Sequence, residues 1–303
     1  MSIIRVQREG FETMAGSKVK IWVGLGTYVL VSSAGTAWAE APKGDQHNAH
    51  GVQIAQAAHG HGGEGGEGGE GGEGGEGGEG GEAGSPALAG LDEEQAYLAN
   101  IAMIRGHMNV GNELFAQGRA NDALPHFLHP VEELYGELEG VINAKGVSPF
   151  KADLDKLSGM VKRKASVADV QAQTEVVLTR LTDATAVVPA TKQTDPTFAL
   201  PVVIGVLRVA ADEYEGAFEG DVIANPVEYQ DSLGFARVAN AWVELMTPTL
   251  TTKDAEAANT LRQEMNTLLT TWPKVTPTRK AVRSAGEMSG IVSRIEFAAA
   301  RLR

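Results

Sequence analysis

The stretch HGHGGEGGEGGEGGEGGEGGEGGE, His59 to Glu82, runs two histidines into seven consecutive Gly-Gly-Glu triplets. It has no apolar side chain to bury, and each glycine loses more backbone freedom on ordering than any other residue. Such a tract cannot fold by itself, so the fold must be made by the sequence beyond it. Residues 40–90 read as one disordered His- and Gly-Gly-Glu-rich linker, with a reach of roughly 40 Å for a glycine-rich chain of that length. The triplets contain no proline, which argues against a collagen-like triple helix.

Residues 1–39 read as an export signal. The basic residues Arg5, Arg8, Lys18 and Lys20 precede an apolar run that ends in Ala37-Trp38-Ala39, the small-x-small pattern of signal-peptide cleavage. An uncleaved anchor is the rival reading, since the run is about long enough to span a bilayer. The expected location is periplasmic, with no membrane span after cleavage. The chain has no cysteine, which removes disulfides, thiolate catalysis and thiolate metal sites together. Its net charge of −13 becomes −15 once the four basic and two acidic groups of the leader are removed. So acidic a chain is a poor ligand for nucleic acid or anionic lipid and a natural one for cations.

From Leu91 onward the pattern is helical throughout. Apolar residues recur at three- and four-residue spacing, as at Val203, Val206, Leu207 and Ala210, and no segment alternates as a strand does. Start signals recur. Asp92 with Gln95 forms a capping box, Asn121 and Ser166 stand before helical runs, and Ser148-Pro149 and Asp195-Pro196 place a cap before proline. The expectation is an all-α domain over residues 91–303, a bundle of about eight helices, divisible into halves near 91–190 and 195–303.

All seven histidines lie between His47 and His129. Four stand in the arm: His47, His50, His59 and His61. Three stand in the first helical hairpin. His107 shares a face with Met103, Val110, Gly111 and Leu114; His126 and His129 are three apart, and Glu133 follows His129 by four. Those spacings put side chains one turn apart, and imidazole plus carboxylate from two helices is how bundles build zinc, iron or manganese sites. His107, His126, His129 and Glu133 are therefore the primary candidate ligands, with Met103 secondary and the four arm histidines accessory. Pro130 kinks or restarts the second helix, which can turn His129 toward its partner. A packed, hydrogen-bonded role for these histidines is the competing reading. A non-covalent haem with His107 as axial ligand is a variant.

Two resemblances follow. Gly111, Leu114, Gly118, Ala123, Phe127 and Pro130 resemble a single tetratricopeptide repeat, which implies a protein-interaction module instead of a metal site. Further along, DEYEGAFEGDVIANPVEYQDSLGF, Asp212 to Phe235, pairs Glu213-Tyr214 with Ala217, Gly220, Val222, Asn225 and Glu228-Tyr229. This segment resembles the helical extracytoplasmic extension of bacterial oxidase-dependent iron permeases. The resemblance implies a stand-alone relative of that extension, tied to iron uptake, with a membrane metal permease or another periplasmic uptake component as partner. In the residues themselves, Glu213, Glu215, Glu228 and Asp231 flank a helix-loop-helix turn, and Glu213 and Glu228 are secondary candidates for a hard cation. Arg8 to Glu12, REGFE, falls in the leader and is a chance match to the permease motif.

Enzyme signatures are missing: there is no Gly-x-Ser-x-Gly elbow, phosphate loop or His-Glu-x-x-His helix. The functional expectation is a periplasmic transition-metal-binding protein, iron first and copper or zinc next. The arm would act as a tether that raises the local cation concentration, or as a simple spacer.

Overall fold

In the computed structural model, which describes residues 82–303, helix α1 (Glu93–Ala116) starts at the Asp92 capping box. Gln95 N donates to Asp92 Oδ1 and Asp92 N donates to Gln95 Oε1. Residues 97–104 of α1 are all buried, as are Gly106, His107, Met108, Val110, Gly111 and Leu114. A helix apolar on nearly every side must sit at the centre of a fold. α1 packs on α2 (Ala120–His129), α5 (Val167–Thr185), α7 (Pro196–Gly216) and α8 (Pro226–Lys253). Behind α2 and α5 lies α4 (Lys151–Lys162); α3 (Tyr135–Ala144) and the single turn α6 (Ala190–Gln193) complete the connections.

α7 packs on α8, α8 on α9 (Ala255–Leu269), α9 on α10 (Ala285–Ala300), and α10 returns to α7. These four close a ring around Leu207, Ala210, Tyr214, Ala236, Trp242, Met265 and Ile295, all buried. The connection from α7 to α8 is a short antiparallel pair, β1 (Phe218–Glu219) and β2 (Val222–Ile223), turned at Gly220 with φ +62°.

The all-α expectation holds, and several boundaries move. Asp195 and Ser166 cap as expected, accepting from Thr197 N and Asp169 N. Ser148-Pro149 does not cap: α4 starts two residues later, with Phe150 at the N-cap and no side-chain bond. Asn121 lies inside the first turn of α2, whose N-cap is Arg119. The second helix is interrupted at Pro130, as that residue leads one to expect: Pro130–Leu134 widens into a π turn and Tyr135 N donates to Pro130 O. Proline has no N–H for the regular ladder, and the wider turn accommodates it.

The packed chain also starts earlier than composition predicts. Residues 82–84 and 86–88 form two 3-10 turns, the second capped by Ser85. Leu88 is buried, and Ala83, Ala87 and Leu91 pack against the core. Gly205 on α7 makes the seat: a Cβ there would stand 3.1 Å from Leu88 and 3.2 Å from Leu91. The leader and the arm histidines His47, His50, His59 and His61 lie outside the described residues.

Candidate metal centre

Two glycine contacts bring the functional side chains together. A Cβ on Gly234 would lie 2.7 Å from the Gly106 carbonyl oxygen, and one on Gly106 would lie 2.7 Å from Phe235 Cδ1. α1 and α8 therefore meet backbone to backbone, next to His107 on one and one turn from Asp231 on the other. Gly111 does the same for α2, since its Cβ would lie 2.9 Å from the Phe127 ring and 3.2 Å from His126 Cβ.

His107 is fully buried at the middle of α1. Its Nε2 donates to Glu82 Oε2 at 2.8 Å, and Phe235 fixes its ring edge-on at 5.1 Å between centroids. Its Nδ1 stands 2.7 Å from Asp231 Oδ1, yet without the alignment of a hydrogen bond. Asp231, with no exposed surface, is met from α2 as well. His126 Nδ1 donates to Asp231 Oδ1 at 2.7 Å, and His129 Nδ1 lies 3.4 Å from Asp231 Oδ2. Neither His129 Nδ1 nor Asp231 Oδ2 has a hydrogen-bond partner.

Three buried polar atoms that make no aligned hydrogen bond, from α1, α2 and α8, thus belong to one cluster, in which His107 Nδ1 and His129 Nδ1 face Asp231 as ion-pair contacts. Buried polar groups are nearly always fully hydrogen-bonded, and these ion-paired atoms leave donor capacity that a shared ligand could use. One ligand atom from each of Glu82, His107, His129 and Asp231 fits within 4.8 Å of all the others. Donors bound to one transition metal at roughly 2.0–2.2 Å stand roughly 3–4.5 Å apart, so little contraction is needed. Two imidazoles and two carboxylates suit ferrous iron, manganese or zinc.

Among the expected ligands, His107 and His129 enter this group. His126 stands beside it with both ring nitrogens engaged, Nδ1 on Asp231 and Nε2 at 2.8 Å from Gln230 Oε1. It orients Asp231, the role an outer partner plays in holding a ligand. Glu133, in the π turn, lies 4.0 Å from His129 Nε2 and is partly exposed. Met103 is fully buried one turn earlier on α1, among the core residues. Glu113 points elsewhere and pairs with Arg237 at 2.6 Å. Glu213 and Glu228 stand at the α7–α8 turn, outside the cluster, where Asn225 Nδ2 donates to Glu228 Oε1 at 3.0 Å.

The sequence alone missed Glu82 as a member of this cluster and placed Asp231 in a separate acidic turn. The signal for Glu82 was its position: the last of the triplet glutamates, immediately before the first apolar residues of the packed chain.

Charge and burial compete at the centre. Burial would lower the pKa of His107, but Asp231 and Glu82 outweigh it and hold the imidazole well above its ordinary 6.5. Burial would raise Asp231, yet His107 and His126 hold its carboxyl well below the ordinary 3.8. Glu82 is raised by burial, with His107 offsetting part of the effect. The stability that protonated His107 contributes is full below pH 6.5 and is lost as pH rises through its raised value. The contribution of Asp231 is present above pH 3.8 and is lost as pH falls through its lowered value.

A bound metal must displace the proton of His107. Metal affinity is therefore expected to rise with pH above 6.5, over the same range in which the cation-free fold loses stability. Calorimetric titration in buffers of different ionisation enthalpy, beside thermal denaturation of the metal-free protein, checks both slopes. Binding without proton release, or slopes of equal sign, would exclude this assignment.

Residues 189–302, the stretch from α6 through α10, match the family model of the iron permease-associated 4-helix bundle domain. The match contains Asp212 to Phe235, the segment whose residues resemble the iron-permease extension. It supplies Asp231, Glu213 and Glu228, whereas Glu82, His107, His126 and His129 come from the chain that precedes it. Searches of curated proteins and of solved structures gave no match to the chain.

Proposed function

We propose that this chain is a periplasmic transition-metal-binding protein of iron uptake, which holds a divalent cation between Glu82, His107, His129 and Asp231. The observation that carries this reading is the convergence of one donor atom each from Glu82, His107, His129 and Asp231 within 4.8 Å of one another, with His107 Nδ1, His129 Nδ1 and Asp231 Oδ2 making no aligned hydrogen bond. The iron permease-associated bundle at residues 189–302 supports iron as the cargo and a membrane iron permease as the partner. Among the described residues no helix is long and apolar enough to cross a membrane. The absence of sulfur donors from the cluster weighs against cuprous copper and leaves zinc as the chemical competitor.

Two other readings fit less well. Haem needs an open imidazole face, and His107 is enclosed by Phe235, His129 and two carboxylates. An adaptor built on the α1–α2 hairpin needs an exposed groove, and α1 is buried on nearly every side.

The test is metal content and titration of the mature chain with the four arm histidines replaced by alanine, beside the same protein carrying His107→Ala and His129→Ala. Stoichiometric ferrous iron or zinc in the first, reduced at least tenfold in affinity in the second, is the expected result. Equal binding by both would move metal function away from the hairpin. Binding by neither would return the lead to the adaptor reading.

A further inference from the structure

A ligand set enclosed by helices needs a route by which an ion reaches it. Three of the four cluster side chains are cut off from water: His107 and Asp231 expose none of their side-chain surface and Glu82 only 5 %. His129 differs, with 20 % exposed, and its ring stands across the wall of the cluster. Nδ1 faces inward, 3.4 Å from Asp231 Oδ2, while Nε2 faces Glu133 Oε1 at 4.0 Å. Glu133 is itself 28 % exposed. One imidazole therefore joins a buried carboxylate to a carboxylate at the surface. The spacing of its outer pair also falls within the roughly 3–4.5 Å that separates donors sharing one ion.

The backbone is adapted at the same place. Glu133 belongs to the π turn Pro130–Leu134, which is held in the core by buried Pro130 and Leu134. The turn 82–84, which carries Glu82, packs against it. π turns within helices recur at functional sites, since their ladder is locally interrupted and can adjust. Passage through such a wall is limited by desolvation: an ion that loses water before its ligands engage is an uncompensated charge. A carboxylate that replaces the first waters outside lowers that barrier, and so does an imidazole that touches both sides.

We propose that Glu133 is the entry ligand of the centre. It takes the incoming divalent cation at the surface together with His129 Nε2, and turning of the His129 ring passes the ion inward to Asp231, His107 and Glu82. The inference rests on the reading of Glu82, His107, His129 and Asp231 as the binding position. Glu133 holds the ion only in passage, so it speeds entry and escape alike and leaves the equilibrium affinity as it is. A ligand of the final position would instead slow escape, and a steering charge would speed entry alone.

Cobalt(II) is the probe, because its visible absorption reports coordination and can be followed in a stopped-flow cell. The mature chain with the arm histidines replaced by alanine is mixed with cobalt(II). Release is then followed into excess chelator, at concentrations where the rate no longer depends on the chelator. In Glu133→Gln both rates are expected to fall at least about tenfold, the lower end of what charge at the mouth of a site adds to association, with the affinity of the parent retained. Glu228→Gln removes the same charge at the α7–α8 turn, outside the cluster, and is expected to release cobalt as the parent does. Faster release from Glu133→Gln would make Glu133 a ligand of the final position, and slower entry alone would make it a steering charge. Either result, or rates equal to the parent's, overturns the entry role while the binding position stands. A parent that binds no cobalt overturns the reading on which the role rests.

Discussion

Asp231→Asn is expected to lower metal affinity by at least about 100-fold, the upper end of what the loss of even an outer partner of a ligand costs. It is also expected to destabilise the metal-free fold by about 3–5 kcal/mol, the usual cost of removing one member of a buried charged pair. Asp231 is where three imidazoles meet: His107 Nδ1 at 2.7 Å, His126 Nδ1 at 2.7 Å and His129 Nδ1 at 3.4 Å. Asparagine retains the volume but removes the charge that holds His107 protonated in a fully buried site. For a domain of this size the loss corresponds to a fall in Tm on the order of 10 °C. Glu133→Gln is the control. Its carboxylate stands 4.0 Å from His129 and is partly exposed, so its removal is expected to cost under about 1 kcal/mol. Calorimetric titration and thermal denaturation of both variants are the measurements. An Asp231→Asn protein that binds metal within a few-fold of the parent would remove Asp231 from the centre.

The fold was legible where local chemistry sets it. Asp92 with Gln95, Ser166 and Asp195 start helices because their side chains satisfy backbone N–H groups only a few residues away. Ser148-Pro149 and Asn121 carry the same residue types without the role, since packing of Phe150 and of the α1–α2 turn fixes those starts instead. Half of the centre was legible for a similar reason. His126 and His129 sit three apart on a helix facing His107, and Pro130 marks the widened turn after them.

The other half depends on approach across long separations. His126 and Asp231 are 105 residues apart in sequence. Their meeting follows from Gly106 and Gly234 bringing α8 onto α1 and Gly111 bringing α2 onto α1, which no local pattern reveals. The acidic turn and the histidine hairpin therefore read as two sites, while the structure gathers their residues at one place. Glu82 was hidden in another way. Seven identical triplets offer seven identical glutamates, and only the apolar residues following the seventh, with Leu88 seated on Gly205, fix that one in the interior.

The dependence of the centre on helix approach leads to the second large effect. Gly234→Ala is expected to weaken metal binding at least about tenfold although no ligand changes, and to destabilise the fold by about 1–3 kcal/mol as overpacking does. The added Cβ would meet Gly106 O at 2.7 Å, Gly106 C at 2.9 Å and Val110 Cγ2 at 3.0 Å. Two of those atoms are backbone within a regular helix and cannot swing aside, so α1 and α8 must separate. His107 and Asp231 then separate with them. Gly106→Ala acts on the same contact through Phe235, whose ring also fixes His107 edge-on.

The comparison that isolates the effect is Gly286→Ala in α10, where a Cβ meets nothing within 4 Å. There the usual helical preference for alanine over glycine applies, worth up to about 1 kcal/mol in the stabilising direction. Metal binding should be unchanged. Denaturant unfolding and metal titration of the three variants separate the two outcomes. If Gly234→Ala loses stability but binds metal like the parent, the ligands are held together by their own contacts. If both fall together, the two glycines are what convert a histidine hairpin and an acidic turn into a single centre.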